Sequence, residues 1–311
     1  MSLCMKPDIS VSFLNKTMSS PLVLASGVLG LTADSMKRVL EAGAGAVTTK
    51  SFSMDPRKGH PCPSILPYDG GLLNAVGLSN PGVAEMNKEI RKLQTQHNGL
   101  IFASVFGRTP EEFGSAAASA AESEPDLIEV NVSCPNVESE FGTPFGASFR
   151  DVEKITTIVK KAAGSIPVSI KLTIHCPSIS KMARVCEESG ADAVTAINTV
   201  GPGMLVDTGV MKPVLANKVG GVSGPAIFPL ALKAVWEITG TVRLPVIATG
   251  GVTTTDHALQ MIMAGAALVS IGSAVYYEEL DVFSKINKGL TDWMTERKIG
   301  NLQEIRGKAH E

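Results

Sequence analysis

The sequence predicts a single (β/α)8 TIM barrel over residues 1–311, a length inside the range of that fold. Three observations lead there. Segments Glu41-Ala-Gly-Ala-Gly-Ala-Val-Thr48, Glu188-Ser-Gly-Ala-Asp-Ala-Val-Thr195 and Met263-Ala-Gly-Ala-Ala-Leu-Val-Ser270 repeat one pattern: a helix end, a capping glycine (Gly43, Gly190, Gly265) and a buried strand. Their spacing is close to four and two units of about 37 residues, and eight such units fill roughly the whole chain. Hydrophobic residues make up 44% of the chain and glycine 30 of its 311 residues. That composition suits doubly buried parallel strands joined by glycine-rich turns, not a disordered or coiled-coil chain.

Taken in order, Ile9-Ser-Val-Ser-Phe13 and the turn Asn15-Lys-Thr predict an N-terminal hairpin that plugs the barrel bottom. Apolar runs then place barrel strands at 22–25, 46–50, 100–105, 127–132, 168–172, 193–197, 246–248 and 268–271. Amphipathic stretches at 83–93, 110–121, 152–163, 229–238 and 256–263 read as helices between them. The loops after strands two (51–81), four (133–148) and six (198–226) are far longer than a minimal turn. All three leave the C-terminal ends of strands, where barrel enzymes carry their active sites. Tolerated surface insertions are the alternative for any one of them.

Lysine plus arginine number 28 against 30 aspartate plus glutamate, a formal net charge of −2. No basic excess invites nucleic acid or anionic membrane, so a small-molecule ligand is expected. Cys4, Cys62, Cys134, Cys176 and Cys186 are scattered without a CxxC pair, which supports neither a disulfide framework nor a zinc or iron-sulfur site and implies a reducing cytoplasm. His60, His97, His175, His257 and His310 form no metal spacing and read as loop or surface residues. Neither a signal peptide nor an uninterrupted apolar run of membrane-spanning length is present.

The most informative stretch is Asp126-Leu-Ile-Glu-Val-Asn-Val-Ser-Cys-Pro-Asn136, where an apolar strand runs into a loop that presents Cys134 between Asn131 and Asn136. The asparagines suit a planar ligand edged with C=O and N–H groups, and Cys134 can act as nucleophile or base; a small buried thiol is the alternative. Asn74 and Asn198 sit beside strand ends in the two other long loops, whereas Asn15 and Asn80 read as turn residues. Lys50 and Lys171 end strands two and five inside apolar runs. Each either snorkels to the surface, faces developing negative charge on a ligand, or with a lowered pKa forms a Schiff base. Gly250-Gly251 and Gly272-Ser273 follow strands seven and eight, the recurrent phosphate site of barrels, and Gly220-Gly-Val-Ser-Gly-Pro-Ala226 reads as a third glycine-rich turn. Gly43-Ala-Gly45 follows a helix and is no dinucleotide fingerprint.

In these features the chain closely resembles the class 1 dihydroorotate dehydrogenases, flavin-dependent barrels of pyrimidine biosynthesis. The resemblance covers almost the full length. It rests on Ala25-Ser-Gly27, Thr49-Lys50, Asn74-Ala-Val-Gly-Leu78, Asn131-Val-Ser-Cys-Pro-Asn136, Ser169-Ile-Lys171, Ile197-Asn-Thr199, Gly221-Val-Ser-Gly-Pro225, Gly250-Gly251 and Gly272-Ser273, in order and at family-like spacing. It implies FMN contacts from Ala25, Ser26, Lys50, Ser51, Ser104, Asn131, Lys171, Ile197, Gly224, Gly250, Gly251, Gly272 and Ser273. Dihydroorotate or orotate would be held by Lys50, Asn74, Ala75, Val76, Gly77, Leu78, Asn131, Asn136, Asn198 and Thr199.

The resemblance further implies that Cys134 is the base taking the C5 proton of dihydroorotate while hydride leaves C6 for flavin N5, with Lys171 stabilising the anion of the reduced flavin. An unperturbed cysteine, pKa about 8.5, is only a few per cent thiolate at neutral pH, so turnover should rise above pH 7. Class 2 relatives use serine as base and carry an N-terminal membrane extension; this chain has Cys134 and begins almost at its first hairpin. Asn136-Val-Glu-Ser-Glu-Phe-Gly-Thr143 and Leu215-Ala-Asn-Lys-Val-Gly-Gly-Val-Ser-Gly-Pro225 look like the NAD-linked subclass more than the fumarate-reducing one. In that subclass a homodimer core pairs with an iron-sulfur and FAD subunit in a heterotetramer that passes electrons to NAD. Departures are Ser51, where glycine is common, and His60 and Ser64, where asparagine and arginine are usual. The alternatives are another electron acceptor, a related flavin barrel acting on another dihydropyrimidine, a lyase or isomerase with Lys171 as Schiff base, and a non-catalytic barrel.

Overall fold

The computed structural model describes residues 7–132 and 144–311. Strands β1 (Val11–Phe13) and β2 (Lys16–Met18) form the N-terminal hairpin. Its two-residue turn is Leu14-Asn15, at φ 47° and 65°, one residue earlier than the sequence pattern indicates. Both positions need the left-handed backbone that the right-handed twist of a hairpin demands, and asparagine tolerates it well. Val11, Phe13 and Met18 are buried. The Phe13 ring lies 6.0 Å from that of Phe102, and Lys16 pairs with Asp126 just ahead of the fourth barrel strand. The hairpin thus covers the N-terminal ends of the strands, as expected.

Barrel strands and loop strands follow in chain order: β3 (Leu22–Leu24), β4 (Ala46–Thr48), β5 (Ile65–Tyr68), β6 (Gly71–Asn74), β7 (Leu100–Val105), β8 (Leu127–Asn131), β9 (Val168–Leu172) and β10 (Ala193–Ala196). Then come β11 (Val200–Gly203), β12 (Val206–Asp207), β13 (Lys212–Pro213), β14 (Gly220–Ser223), β15 (Val246–Thr249) and β16 (Leu268–Ile271). The parallel barrel closes in the order β3, β4, β7, β8, β9, β10, β15, β16 and back to β3. These are the eight runs read from the sequence, with ends shifted by a residue or two.

Each barrel strand is followed by a helix: α1 (Ala33–Glu41), α2 (Val83–Gln96), α3 (Pro110–Ala121), α4 (Phe149–Ala162), α5 (Ile179–Glu188), α6 (Phe228–Thr239), α7 (Thr255–Met263), and after β16 the short α8 (Ala274–Glu278) with α9 (Asp281–Arg297). Thr32, Thr109, Ser148, Ser178 and Thr254 start α1, α3, α4, α5 and α7 by accepting a backbone N–H of the first turn on the side-chain oxygen. Each such cap stabilises its helix by about 1 kcal/mol relative to alanine. Gly43, Gly190 and Gly265 end α1, α5 and α7 at φ 107°, 89° and 103°. That left-handed conformation explains the glycine in each of the three repeats.

The long loops after the second and sixth barrel strands meet in an antiparallel sheet ordered β11-β14-β6-β5, with Gly221 opposite Asn74. Gly220 and Gly221 therefore lie in a strand, not in the glycine-rich turn expected from sequence. Added Cβ atoms would come within 2.3 Å of the Asn74 carbonyl oxygen and of Thr199 Oγ1 respectively. Glycine here permits close packing of the sheet onto the site loops. Gly224, at φ 98°, keeps the turn role.

Candidate active site

The C-terminal ends of the barrel strands open into a cavity of about 1090 Å³, its open mouth included. Its wall takes Ala25 and Ser26 from the end of β3, Lys50 and Ser51 from the end of β4, Asn131 and Lys171 from β8 and β9, Ile197, Asn198 and Thr199 from beyond β10, and Gly251, Gly272 and Ser273 from beyond β15 and β16. Asn74, Val76, Gly77 and Leu78 join from the loop after β4. Residues scattered over the sequence thus converge because each follows, or closes, a strand of one barrel. Ala75, Ser104, Gly224 and Gly250 do not line this wall, and Ala75 and Ser104 are fully buried. Cys134 and Asn136 lie outside the described residues.

A chain of polar contacts crosses the barrel interior below the cavity. Lys171 Nζ donates to Ser26 Oγ at 2.8 Å and forms an ion pair with Glu129 Oε1 at 3.5 Å. Ser104 Oγ donates to Glu129 Oε1 at 3.1 Å and lies 2.8 Å from Ser51 Oγ. Asn131 Nδ2 donates to Ser51 Oγ at 3.1 Å, and Asn198 Nδ2 donates to Asn131 Oδ1 at 3.1 Å. Thr199 N–H donates to Asn198 Oδ1 at 2.8 Å, and Asn74 Nδ2 to the Gly221 carbonyl at 3.2 Å. Register explains the convergence. Ser104 faces Glu129, Glu129 faces Ser169 and Asn131 faces Lys171 on neighbouring strands, so these polar residues gather in one patch. Lys171 is buried, which removes the snorkelling reading.

The glycines after β15 are packed too closely against their neighbours to carry side chains. A Cβ on Gly250 would approach Ala231 to 2.7 Å, and one on Gly251 would meet the Gly224 carbonyl and the Phe228 amide, both at 2.7 Å. Both residues have positive φ, 126° and 74°. Backbone amides at these strand ends, with the N-termini of α6 and α7 behind them, suit a phosphate. Ala25, Ser26, Asn131 and the cations of Lys50 and Lys171 line the same wall, a donor set that suits a planar ring edged with acceptors. The residues present therefore fit a flavin mononucleotide.

Three features were not read from the sequence. Glu129 lies two residues before Asn131 on the same strand face, and a carboxylate inside an apolar run was its signal. The cavity wall also includes Ile65, Leu72, Ser223 and Ile227 of the loop sheet and the turn after β14, which alternation of short strands hid. His257 is no loop residue: it sits in the first turn of α7, stacked on Phe228 at 4.0 Å between ring centroids, and burial holds its pKa below the usual histidine value.

Fold and site together define a (β/α)8 barrel with a polar cavity at the C-terminal mouth of its strands, the place where barrel enzymes bind their ligands. The family model described as dihydroorotate dehydrogenase matches residues 8–294. The catalytic subunit of dihydroorotate dehydrogenase B (NAD(+)) from Methanothermobacter thermautotrophicus is 41% identical over 303 residues, covering 97% of this chain and 99% of its own length. The subunits of the same name from Methanosarcina mazei and Pyrococcus abyssi are 42% and 38% identical, over 94% and 97% of this chain and 93% and 99% of their own. The chain belongs to the dihydroorotate dehydrogenase family and is an oxidoreductase.

Proposed function

We propose that this chain is the FMN-binding catalytic subunit that oxidises (S)-dihydroorotate to orotate in pyrimidine biosynthesis and passes electrons to NAD through a partner subunit. The observation that carries the reading is the junction of Lys171, Ser51, Asn131 and Asn198 in one hydrogen-bonded wall of the cavity, beside Gly251 and Gly272 at the strand ends. The names of the relatives supply the substrate and the acceptor.

The backbone around Gly224, Gly250, Gly251, Gly272 and Ser273 would hold the FMN phosphate, and Ala25, Ser26, Lys50, Ser51, Asn131, Lys171 and Ile197, with Ser104 behind them, its ring system. FMN, when bound, supplies the two-electron acceptor. Asn74, Asn131, Asn136 and Asn198 hold the planar substrate ring by paired C=O and N–H contacts, with Lys50, Thr199 and the backbone of residues 75–78 closing its edge. Cys134 takes the C5 proton as a thiolate. Lys171 places a positive charge where negative charge accumulates during the reaction, inside a wall dry enough to make that charge effective.

The test is anaerobic mixing of the purified protein with dihydroorotate. Bleaching of the flavin absorbance together with orotate in the product supports the assignment. Bound flavin that dihydroorotate leaves oxidised would point to another dihydropyrimidine, and a protein with no affinity for FMN would defeat the reading altogether.

A further inference from the structure

Among the described residues Glu129 is the one buried acid on the wall of polar contacts, and the reaction as derived above gives it no task. Its side chain is 4% exposed and that of Lys171 7%. A carboxylate in such a place is retained only against a positive partner and hydrogen-bond donors. It has both, the Lys171 ammonium at 3.5 Å and the Ser104 hydroxyl at 3.1 Å. The ion pair is longer than a tight N–H···O hydrogen bond. The ammonium donates instead to Ser26 Oγ at 2.8 Å, on the cavity wall. Lys171 is thus stretched between a carboxylate on one side and the ligand cavity on the other.

We propose that Glu129 is the counter-ion of Lys171 and a positioning residue that sets how strongly the site favours reduced flavin. The inference rests on the FMN reading above. Lys171 alone would bring a full positive charge to the cavity. Paired with Glu129 it brings a nearly neutral couple whose cation can lean toward negative charge on a ligand without leaving its anchor. Glu129 therefore attenuates the preference for a reduced, anionic ring and fixes the direction from which the ammonium points. Ser104 holds the carboxylate in place, which gives a purpose to a fully buried hydroxyl behind the wall.

The experiment compares midpoint potentials of FMN-loaded proteins equilibrated with reference dyes. In Glu129→Gln the reduced-to-oxidised ratio at a given potential should rise at least tenfold, a shift of about 30 mV to more positive values for a two-electron couple. Glu129→Asp, which keeps the charge, should stay within threefold of wild type. If Glu129→Gln does not accumulate as folded protein, the comparison moves to the double variant Lys171→Gln/Glu129→Gln, in which no lone buried charge remains. Because it replaces a nearly neutral couple by a neutral pair, the double variant should stay within threefold of wild type. A Glu129→Gln potential equal to wild type, or a double variant displaced tenfold or more, would overturn the inference while leaving the FMN reading intact. Wild-type protein unable to take up FMN would instead defeat the reading on which it rests.

Discussion

At position 51 a hydroxyl stands between Ser104 Oγ and Asn131 Nδ2, so the side chain joins the buried acid to the asparagine at the cavity wall. Glycine, common there in NAD-linked relatives by resemblance, would leave that link to water or to ligand. Ser51→Ala should destabilise the protein by about 1–2 kcal/mol, because it removes a buried acceptor from an amide donor; urea unfolding of the ligand-free protein measures it. Cys134, the base in the function proposed above, bears on chemistry rather than on stability. Cys134→Ser should keep bound FMN and yet reduce it with dihydroorotate at least a hundredfold more slowly, since general-base catalysis is worth roughly 10²–10⁴ in rate. Stopped-flow reduction over pH 6 to 9 tests this, and a wild-type rate without pH dependence would remove Cys134 from the base role. Cys186 contrasts with both: burial pushes its thiol up to about 12. At pH 8 its thiolate fraction is on the order of 10⁻⁴, so an alkylating reagent should label exposed Cys62 and leave Cys186 unmodified, as peptide mass mapping would reveal. At this scale Asn74, Asn131, Asn198, Lys50 and Lys171, which line the cavity, were legible because polar residues at strand ends break an apolar run. Glu129 was not, because one charged letter inside a strand looks like a register imperfection until its neighbours on adjacent strands are known.

Among the elements, those with one dominant period could be read directly. The barrel strands are buried apolar runs broken only near their ends, and five of the helices announce themselves with a serine or threonine cap, three of those with a glycine stop as well. The sheet of β5, β6, β11 and β14 could not be read, since its strands come from two loops far apart in sequence and are half exposed, with glycine where β-branched residues would mark a strand. The same close packing makes a test of the loop after β15. Gly251 has φ 74°, and a Cβ there would press on the Gly224 carbonyl and the Phe228 amide, both backbone atoms that cannot swing aside. Gly251→Ala should therefore shift the loops after β10 and β15 apart and weaken FMN retention at least tenfold, with a stability cost of about 1–3 kcal/mol from the strained backbone. Fluorescence of flavin released on dialysis reads the first effect. Flavin content equal to wild type would show that these amides do not hold the phosphate.

For the whole molecule the open question is where the electrons leave. The barrel accounts for one ligand cavity, and nearly all of the chain aligns with relatives named catalytic subunits of an NAD-linked enzyme. The sequence carries no GxGxxG turn between a strand and a helix and no cysteine set spaced for a cluster. Gly43-Ala-Gly45, the nearest imitation, is a helix stop, with Gly43 at φ 107°. On the function proposed above, a second subunit carrying FAD and an iron-sulfur centre supplies the nicotinamide site and the electron path. The isolated chain, loaded with FMN and reduced by dihydroorotate, should pass electrons to an artificial dye and fail to reduce NAD at a comparable rate. Addition of the co-purified partner should restore NAD reduction without changing the rate at which dihydroorotate bleaches the flavin, because that half-reaction uses groups of this chain alone. An acceptor screen with fumarate, NAD and dye, with and without partner, separates the cases. Rapid fumarate turnover by the isolated chain would place it in the fumarate-reducing subclass, and direct NAD reduction would mean that the barrel holds a dinucleotide site of a kind its glycine pattern does not announce.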